Sequence, residues 1–279
     1  MPNNGAIQKA TETRVQSSAN GGELTMQQYI RKMENEIKKA LPSVITPERF
    51  TRIVLSALST NPKLAETTPQ SFLGAMMTAA QLGVEPNTPL GQAYLIPYYN
   101  SKAKCLECQF QLGYKGLIDL AYRSGEVTII QAQIAYSNDD FRYSFGLEPE
   151  LRHIPAMSDR GDPTHVYAIF QTKDGGYGFD VMSIDDVRQH AQKYSKAYDG
   201  GPWKTNFEEM AKKTVLKKVL KYAPLKSDFV RGIYTDESIK TEISNDMYSV
   251  PSSYVDVEDN TTVYAGTGEV VSEDPKDAE

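Results

Sequence analysis

Apolar residues recur at helical spacing through the first third of the chain and predict three helices. Thr25 and Gln28 fit a capping box, and the apolar positions from Met26 to Ile37 behind it predict one continuous helix. Thr46-Pro47 and Thr68-Pro69 each place a threonine before a proline, which the first helical turn tolerates. A helix is therefore predicted after each of these pairs.

The pattern changes to strand-like alternation in the middle of the chain. Residues 92–99 and 104–112 predict a β-hairpin with a lysine-bearing tip, and helical spacing returns over 113–124. Ser183 and Asp186 fit a second capping box, which predicts a helix to about residue 198. Helices therefore flank a central group of strands, which predicts an α+β fold with an antiparallel β-sheet and β-hairpins packed by helices. The other predicted elements are strands at 127–136, 141–145, 150–154, 164–172 and 177–182 and a last helix at 203–222.

Charge is divided unevenly along the chain. The net charge is −6 over 279 residues, but residues 235–279 contain twelve acidic residues and two lysines, so the rest of the chain carries +4. A basic body with an acidic tail indicates a polyanionic partner and a solvating or docking tail, although an ordinary disordered terminus fits the tail equally well. We predict a disordered N-terminal tail over 1–24, a folded core over 25–234 and an acidic, disordered C-terminal tail over 235–279.

Several function classes lack the residues that they need. Two cysteines are too few for a disulfide framework or a four-thiolate zinc site, and Cys105 and Cys108 are three apart on a predicted strand, beyond disulfide reach. The sequence contains no GxxxxGK[ST] phosphate loop, no GxSxG nucleophile elbow, no secretory signal and no apolar stretch of membrane-spanning length. We therefore expect a cytoplasmic protein with no membrane association, no ATPase site and no metal site.

The last predicted helix carries the sharpest local signal. Lys213, Lys217 and Lys221 are four residues apart and form a ridge, and Lys212 and Lys218 flank it. Like charges at this spacing disfavour an isolated helix by about 0.2–0.5 kcal/mol per pair. An anionic partner would turn that cost into binding energy through counterion release. A solvated lysine face is the alternative interpretation.

A second signal is the alternation of aromatic and basic residues in and after the first predicted hairpin. Aromatic rings beside cations suit single-stranded nucleic acid, because every base offers a π-face for stacking. Any one of the tyrosines also fits a place in the core or in a cross-strand pair. The stretch contains Tyr94, Tyr98, Tyr99, Lys102, Lys104, Phe110, Tyr114, Lys115, Tyr122 and Arg123.

Four sequence runs, in collinear order, resemble the RecT family of phage and prophage recombinases. They are LGQAYLIPYYN, QFQLGYKGLIDLAYRSGE, THVYAIF with the following KDGG, and GPWKTNFEEMAKKTVLKKVLKYAP. The similarity extends from about Thr25 to Leu225. It implies a protein that binds single-stranded DNA and anneals complementary strands in homologous recombination, without ATP and without bond chemistry. It also implies a homo-oligomer, as a ring or a helical filament, that holds the annealed duplex intermediate. The implied protein partners are a 5′→3′ exonuclease and the host single-strand-binding protein.

The resemblance implies DNA contacts on the last predicted helix, here called the lysine helix, in the QLGYKG block and at the hairpin tip. Arginine is common in the family where this chain has Lys217 and Lys218; lysine still neutralises phosphate but lacks the bidentate geometry. No cofactor is expected, and Mg²⁺ is expected to act on DNA binding alone. The predicted contacts are Lys102, Lys104, Tyr114, Lys115, Arg123, Lys212, Lys213, Lys217, Lys218 and Lys221.

The residues alone leave three other functions open. A non-catalytic single-stranded DNA- or RNA-binding chaperone fits the basic and aromatic stretch, although we identify no 2′-hydroxyl reader. A nuclease needs clustered acidic ligands, whereas Asp139, Asp140, Asp185 and Asp186 fit turns and helix caps. A structural oligomer would pair the lysine face with an acidic tail.

Overall fold

The computed structural model describes two compact units of the chain. It covers residues 24–195, 198, 203–223, 235–244, 246–247 and 249–253, together with the backbone of 202, 262–264 and 269–271. Unit 1 contains residues 24–112 and 235–253, and unit 2 contains the described part of 113–223. The division falls inside the region predicted as one core. The predicted N-terminal tail, apart from its last residue, and most of the predicted C-terminal tail lie outside the described residues.

Unit 1 begins with α-helices and continues into a two-stranded antiparallel sheet. Thr25 and Gln28 form the predicted capping box, in which the Thr25 N–H donates to Gln28 Oε1 at 2.9 Å. The first predicted helix is divided into two at Met33. The elements are α1 Met26–Lys32, α2 Glu34–Ala40, α3 Pro47–Thr60, a 3₁₀ helix Pro62–Glu66, α4 Pro69–Leu82, β1 Ala93–Asn100 and β2 Cys105–Leu112.

The helix α4 forms the centre of unit 1 because its residues are buried on almost every side. It packs against both strands of the β1–β2 hairpin, whose pairing is in register throughout. Phe72 and Met76 from α4 and Phe110 from β2 are among the fully buried side chains. The Cys108 N–H donates to Ser71 Oγ at 2.8 Å, which joins the start of α4 to β2. The predicted hairpin is confirmed.

Residues 235–244, 246–247 and 249–253, here called the C-terminal strap, belong to unit 1, and Asp236 and Ser238 bond to the edge of β2 that β1 leaves open. The Phe110 N–H donates to the Ser238 carbonyl oxygen at 3.0 Å, and the Leu112 N–H donates to Asp236 Oδ1 at 2.6 Å. The folded part of the chain therefore extends beyond residue 234, where composition predicts the acidic tail to begin. The difference arises because Asp236 is a hydrogen-bond acceptor for the sheet edge and not a solvated tail residue.

Unit 2 is built on a three-stranded antiparallel sheet in the order β3-β6-β7, with a separate β4–β5 hairpin. The helices α5, α6 and α8 pack against the three-stranded sheet. The Phe141 ring of β4 stacks on the Tyr167 ring of β6, with centroids 5.5 Å apart. The last predicted helix is divided at Asn206. The elements are α5 Tyr114–Ser124, β3 Val127–Tyr136, β4 Asp140–Ser144, β5 Glu150–Ile154, β6 Pro163–Thr172, β7 Tyr177–Ser183, α6 Ile184–Tyr194, α7 Pro202–Thr205 and α8 Phe207–Leu220.

The predicted α+β class with antiparallel hairpins packed by helices is confirmed. Two further short strands, β8 Thr262–Tyr264 and β9 Glu269–Val271, pair with each other. Among the helices that the structure describes, none has the length and apolar character needed to cross a bilayer.

Candidate nucleic-acid interface

The helix α8 contains four of the five predicted lysine contacts and is followed at once by the fifth, Lys221. It packs against β3, β6 and β7 and also against the helices α5 and α6. Because α8 is covered on more than one side, its buried positions spread around much of the helix. The solvent-facing surface is therefore narrower than the sequence pattern indicates. The buried positions are Ala211, Lys213, Val215, Leu216, Val219 and Leu220.

Burial changes along the predicted lysine ridge. Lys213 is only 5% exposed, Lys217 is half-buried and Lys221 is exposed. A phosphate in solution reaches Lys221 without any rearrangement of the helix, whereas access to Lys213 requires one. The accessible charge of the ridge is therefore concentrated at its C-terminal end.

The two lysines that flank the ridge each lie beside a carboxylate. Lys218 Nζ is 3.2 Å from Asp180 Oδ2 on β7, and Lys212 Nζ is 3.6 Å from Glu209 Oε1 on the preceding turn. Surface ion pairs of this kind contribute only about 0–1 kcal/mol. A phosphate can therefore replace either carboxylate at small cost.

The helix α5 packs against α8, so unit 2 brings three more predicted contacts onto a neighbouring helix. Lys115 is exposed in the first turn of α5, and Tyr114 beside it is half-buried. Arg123 Nη2 lies 2.9 Å from Asp119 Oδ2 one turn earlier, and the Nε and Nη2 atoms of Arg123 are buried. A phosphate therefore reaches these two nitrogens only if the guanidinium moves.

The remaining two predicted contacts lie at the tip of the β1–β2 hairpin. Lys102 and Lys104 are exposed there. Asn100 Oδ1 accepts from the backbone N–H groups of Lys102 at 3.1 Å and Ala103 at 3.0 Å, which fixes the turn. Both lysines belong to unit 1, whereas the other eight predicted contacts belong to unit 2.

The tyrosines of the first hairpin differ in their accessibility. Tyr94 and Tyr99 are exposed, and Tyr98 is half-buried. Burial and the nearby Glu237 carboxylate of the strap raise the pKa of Tyr98 to about 12. Tyr98 is therefore a packing residue whose phenol stays neutral, whereas Tyr94 and Tyr99 retain ring surface that a base can reach.

A buried polar cluster, which the sequence pattern does not predict, fastens the β4–β5 hairpin. Asp139 Oδ2 accepts from Arg160 Nη2 at 2.6 Å and lies 2.9 Å from His153 Nε2, and Asp139 Oδ1 accepts from the Ala156 N–H at 2.9 Å. The Arg160 guanidinium, with help from Ala156 and His153, holds the pKa of the Asp139 carboxyl well below its usual range. His153 Nδ1 is 3.0 Å from the Tyr167 hydroxyl of β6.

The role of this cluster is to hold the β4–β5 hairpin in place, because its polar groups form their hydrogen bonds within the fold. The Asp139 and His153 side chains are buried, so no substrate reaches them. Asp139 appears in the sequence only as a turn carboxylate, and Arg160 follows it 21 residues later. Because no local pattern links two residues that far apart, the cluster has no signal in the sequence.

The described residues hold no group of three or more His, Cys, Asp or Glu side chains arranged for a metal ion. Burial raises the pKa of the Cys108 thiol, which disfavours the thiolate that metal binding requires. The groups that the described residues of this candidate interface expose are lysine ammonium groups and tyrosine rings.

Comparison with known proteins identifies the family of this chain. A profile of the RecT family matches residues 48–250, a range that includes parts of both units. The chain is 37% identical over 231 residues to Protein RecT of Escherichia coli strain K12, which covers 82% of this chain and 86% of that protein. It is 28% identical over 253 residues to the uncharacterized protein YqaK of Bacillus subtilis strain 168, with coverage of 90% and 84%. The chain therefore belongs to the RecT family of recombination and annealing proteins.

Proposed function

We propose that this protein binds single-stranded DNA and anneals complementary strands without ATP or another cofactor. Membership of the RecT family supports annealing as the activity. The observation that carries the DNA site is the group of accessible cations on two packed helices of unit 2. These are Lys115 on α5, Lys218 on α8 and Lys221 at its C-terminal end.

Annealing follows from how such a surface holds a strand. Lysine contacts to phosphates leave the Watson–Crick edges of the bases free, because they involve the backbone alone. A second strand samples registers against the first, and matched base pairs stack and persist. Specificity then comes from base pairing, so the protein needs no base-specific contacts and performs no bond chemistry.

Few phosphate contacts per chain favour action by an assembly. Several copies along one strand add their weak contacts and hold the duplex intermediate, as a ring or a helical filament. The protein partners that fit this role are a 5′→3′ exonuclease that produces the single strand and a host single-strand-binding protein that covers it. This proposal places the protein in the cytoplasm of a bacterial cell.

Fluorescence annealing of two complementary labelled oligonucleotides, without nucleotide, tests the activity and the site together. The site variant replaces Lys115, Lys218 and Lys221 with alanine. The control variant replaces the exposed Lys32 of α1 and the exposed Lys38 and Lys39 of α2 with alanine, and so removes the same charge. Lys213 is left unchanged because its burial would mix a folding defect with a binding defect.

The wild type and the control variant should accelerate annealing, and the site variant should be slower. In anisotropy titrations, removal of one lysine–phosphate pair should lower the slope of log Kd against log salt by about 0.7, and removal of all three by about 2. Equal salt slopes for the site and control variants would move the DNA site elsewhere. A folded wild type that does not accelerate annealing would refute the activity, and stronger competition by RNA than by DNA of equal length would favour an RNA chaperone.

A further inference from the structure

The C-terminal half of α6 presents a basic and aromatic surface outside the predicted DNA contacts. The helix begins at a Ser183 cap, whose Oγ accepts from the Asp186 N–H at 3.0 Å. Ile184, Val187 and Ala191 are its buried residues, so its other face is solvent-accessible.

Tyr194 lies at the end of this face and is 61% exposed. His190 is one turn earlier, and the centroids of the two rings are 4.7 Å apart at an angle of 47°. Lys193 Nζ lies 5.2 Å from the centroid of the Tyr194 ring. An accessible ring therefore has a cation and an imidazole as immediate neighbours.

The charges of α6 are separated along its length. Asp185 and Asp186 occupy the first turn, and Asp185 Oδ1 is paired with Arg188 Nη1 at 3.0 Å. The sequence has no carboxylate between positions 187 and 194. The helix dipole favours a cation such as Lys193 in the last turn, but it gives no reason for a large exposed aromatic ring beside that cation.

We propose that Tyr194 is a base-stacking platform for single-stranded DNA, with Lys193 and His190 beside it for the adjoining phosphates. The inference rests on the proposed function and adds a second kind of contact, to bases, on the unit that carries the lysine helix. An exposed cation–π contact is weaker than base stacking on an aromatic ring. A base therefore displaces the Lys193 ammonium from the ring, and the ammonium turns to a phosphate.

A control substitution at a second exposed tyrosine distinguishes the loss of base stacking from the general loss of an exposed ring. Tyr177 is 60% exposed in the same unit, and its hydroxyl donates to the Pro149 carbonyl oxygen at 3.0 Å. The experiment measures fluorescence anisotropy of the full chain with an oligothymidine and with an abasic strand of equal length. The variants are Tyr194→Ser, Tyr194→Phe and Tyr177→Ser, with circular dichroism to check their folding.

Tyr194→Ser should weaken binding of oligothymidine by about five- to 150-fold and leave binding of the abasic strand unchanged. Tyr194→Phe, which keeps the ring, and Tyr177→Ser should both bind like the wild type. Equal affinity of Tyr194→Ser and Tyr177→Ser for oligothymidine would overturn the inference. An equal loss on the abasic strand would also overturn it, because the role would then not be stacking. A wild type that binds neither strand would instead refute the proposed function on which the inference rests.

Discussion

Replacing Gly74 with alanine should loosen the C-terminal strap. A Cβ atom at position 74 would overlap the carbonyl oxygen of Lys240 and lie 3.0 Å from its carbonyl carbon. The obstacle is backbone, and the strap is tied together internally, because Lys240 Nζ donates to the Val250 carbonyl oxygen at 2.7 Å. The strap therefore has to move away from α4 to admit one methyl group.

The cost of overpacking sets the size of the change. Overpacking a well-packed site costs about 1–3 kcal/mol, and a backbone obstacle places the Gly74 substitution near the upper end. Alanine is about 1 kcal/mol more favourable than glycine inside a helix, but α4 is helical whether the strap is closed or opened, so this gain does not offset the cost. The loss in the free energy that holds the strap is therefore about 2–3 kcal/mol, which raises the population of the opened strap by about 30- to 150-fold.

Hydrogen–deuterium exchange measures this opening directly. The amides of Phe110 and Leu112 donate to strap acceptors, so both should exchange about 30- to 150-fold faster in Gly74→Ala than in the wild type. Gln70→Ala is the matched control, because Gln70 is an exposed residue of the same helix. Unchanged or slower exchange at both amides in a folded Gly74→Ala protein would refute the packing argument.

The remaining predictions concern Asp139 and the C-terminal boundary. Asp139→Asn should unfold at lower urea than the wild type at pH 7, because the Arg160 guanidinium loses its ionised partner. Folding lowers the pKa of Asp139. The Asp139 carboxylate therefore stabilises the folded state fully above its usual pKa near 4, and this stabilisation declines as the pH falls below that value. The gap between the two urea midpoints, followed by Trp203 fluorescence, should therefore narrow from pH 7 to pH 3, and a constant gap would contradict the assignment. A chain ending at Ser253 should keep its thermal midpoint, whereas one ending at residue 234 should lose several degrees or aggregate; equal midpoints would mean that the strap contributes nothing to stability.

The sequence predicts much of the fold because most signals that specify its elements are local. Threonine before proline, the capping box and alternating strands with a turn between them each act within a few residues. The Thr25 capping box and the β1–β2 hairpin are confirmed for that reason. No proline or glycine stands at Met33 or Asn206 to indicate that a helix ends there. Apolar spacing alone therefore predicts one continuous helix at each place.

The strap and the site are harder to predict because they depend on contacts distant in sequence. Asp236 bonds to Leu112 across 124 residues, so composition assigns it to a tail. The helical conformation of α8 is predicted correctly. The prediction of an accessible lysine ridge, however, assumes that this helix packs on one side only, and α8 packs on several sides. That is why Lys213 is buried while Lys221 is exposed. The assignment of individual DNA contacts stays a prediction.

Carboxylates beside the basic residues bear on how a surface can hold DNA and still let it move. Lys218 lies beside Asp180, and Lys212 lies beside Glu209. On the proposed function, a phosphate that bound one of these lysines would displace a carboxylate, and the carboxylate would return when the phosphate left. Because each exchange involves only about 0–1 kcal/mol, neither state is strongly favoured at a single cation.

This near balance suits annealing better than tight binding would. A strand that must change register has to release its phosphates many times before the matched pairs form. On the proposed function, cations that exchange between phosphate and carboxylate would allow such movement, and the many weak contacts along an assembly would keep the strand bound.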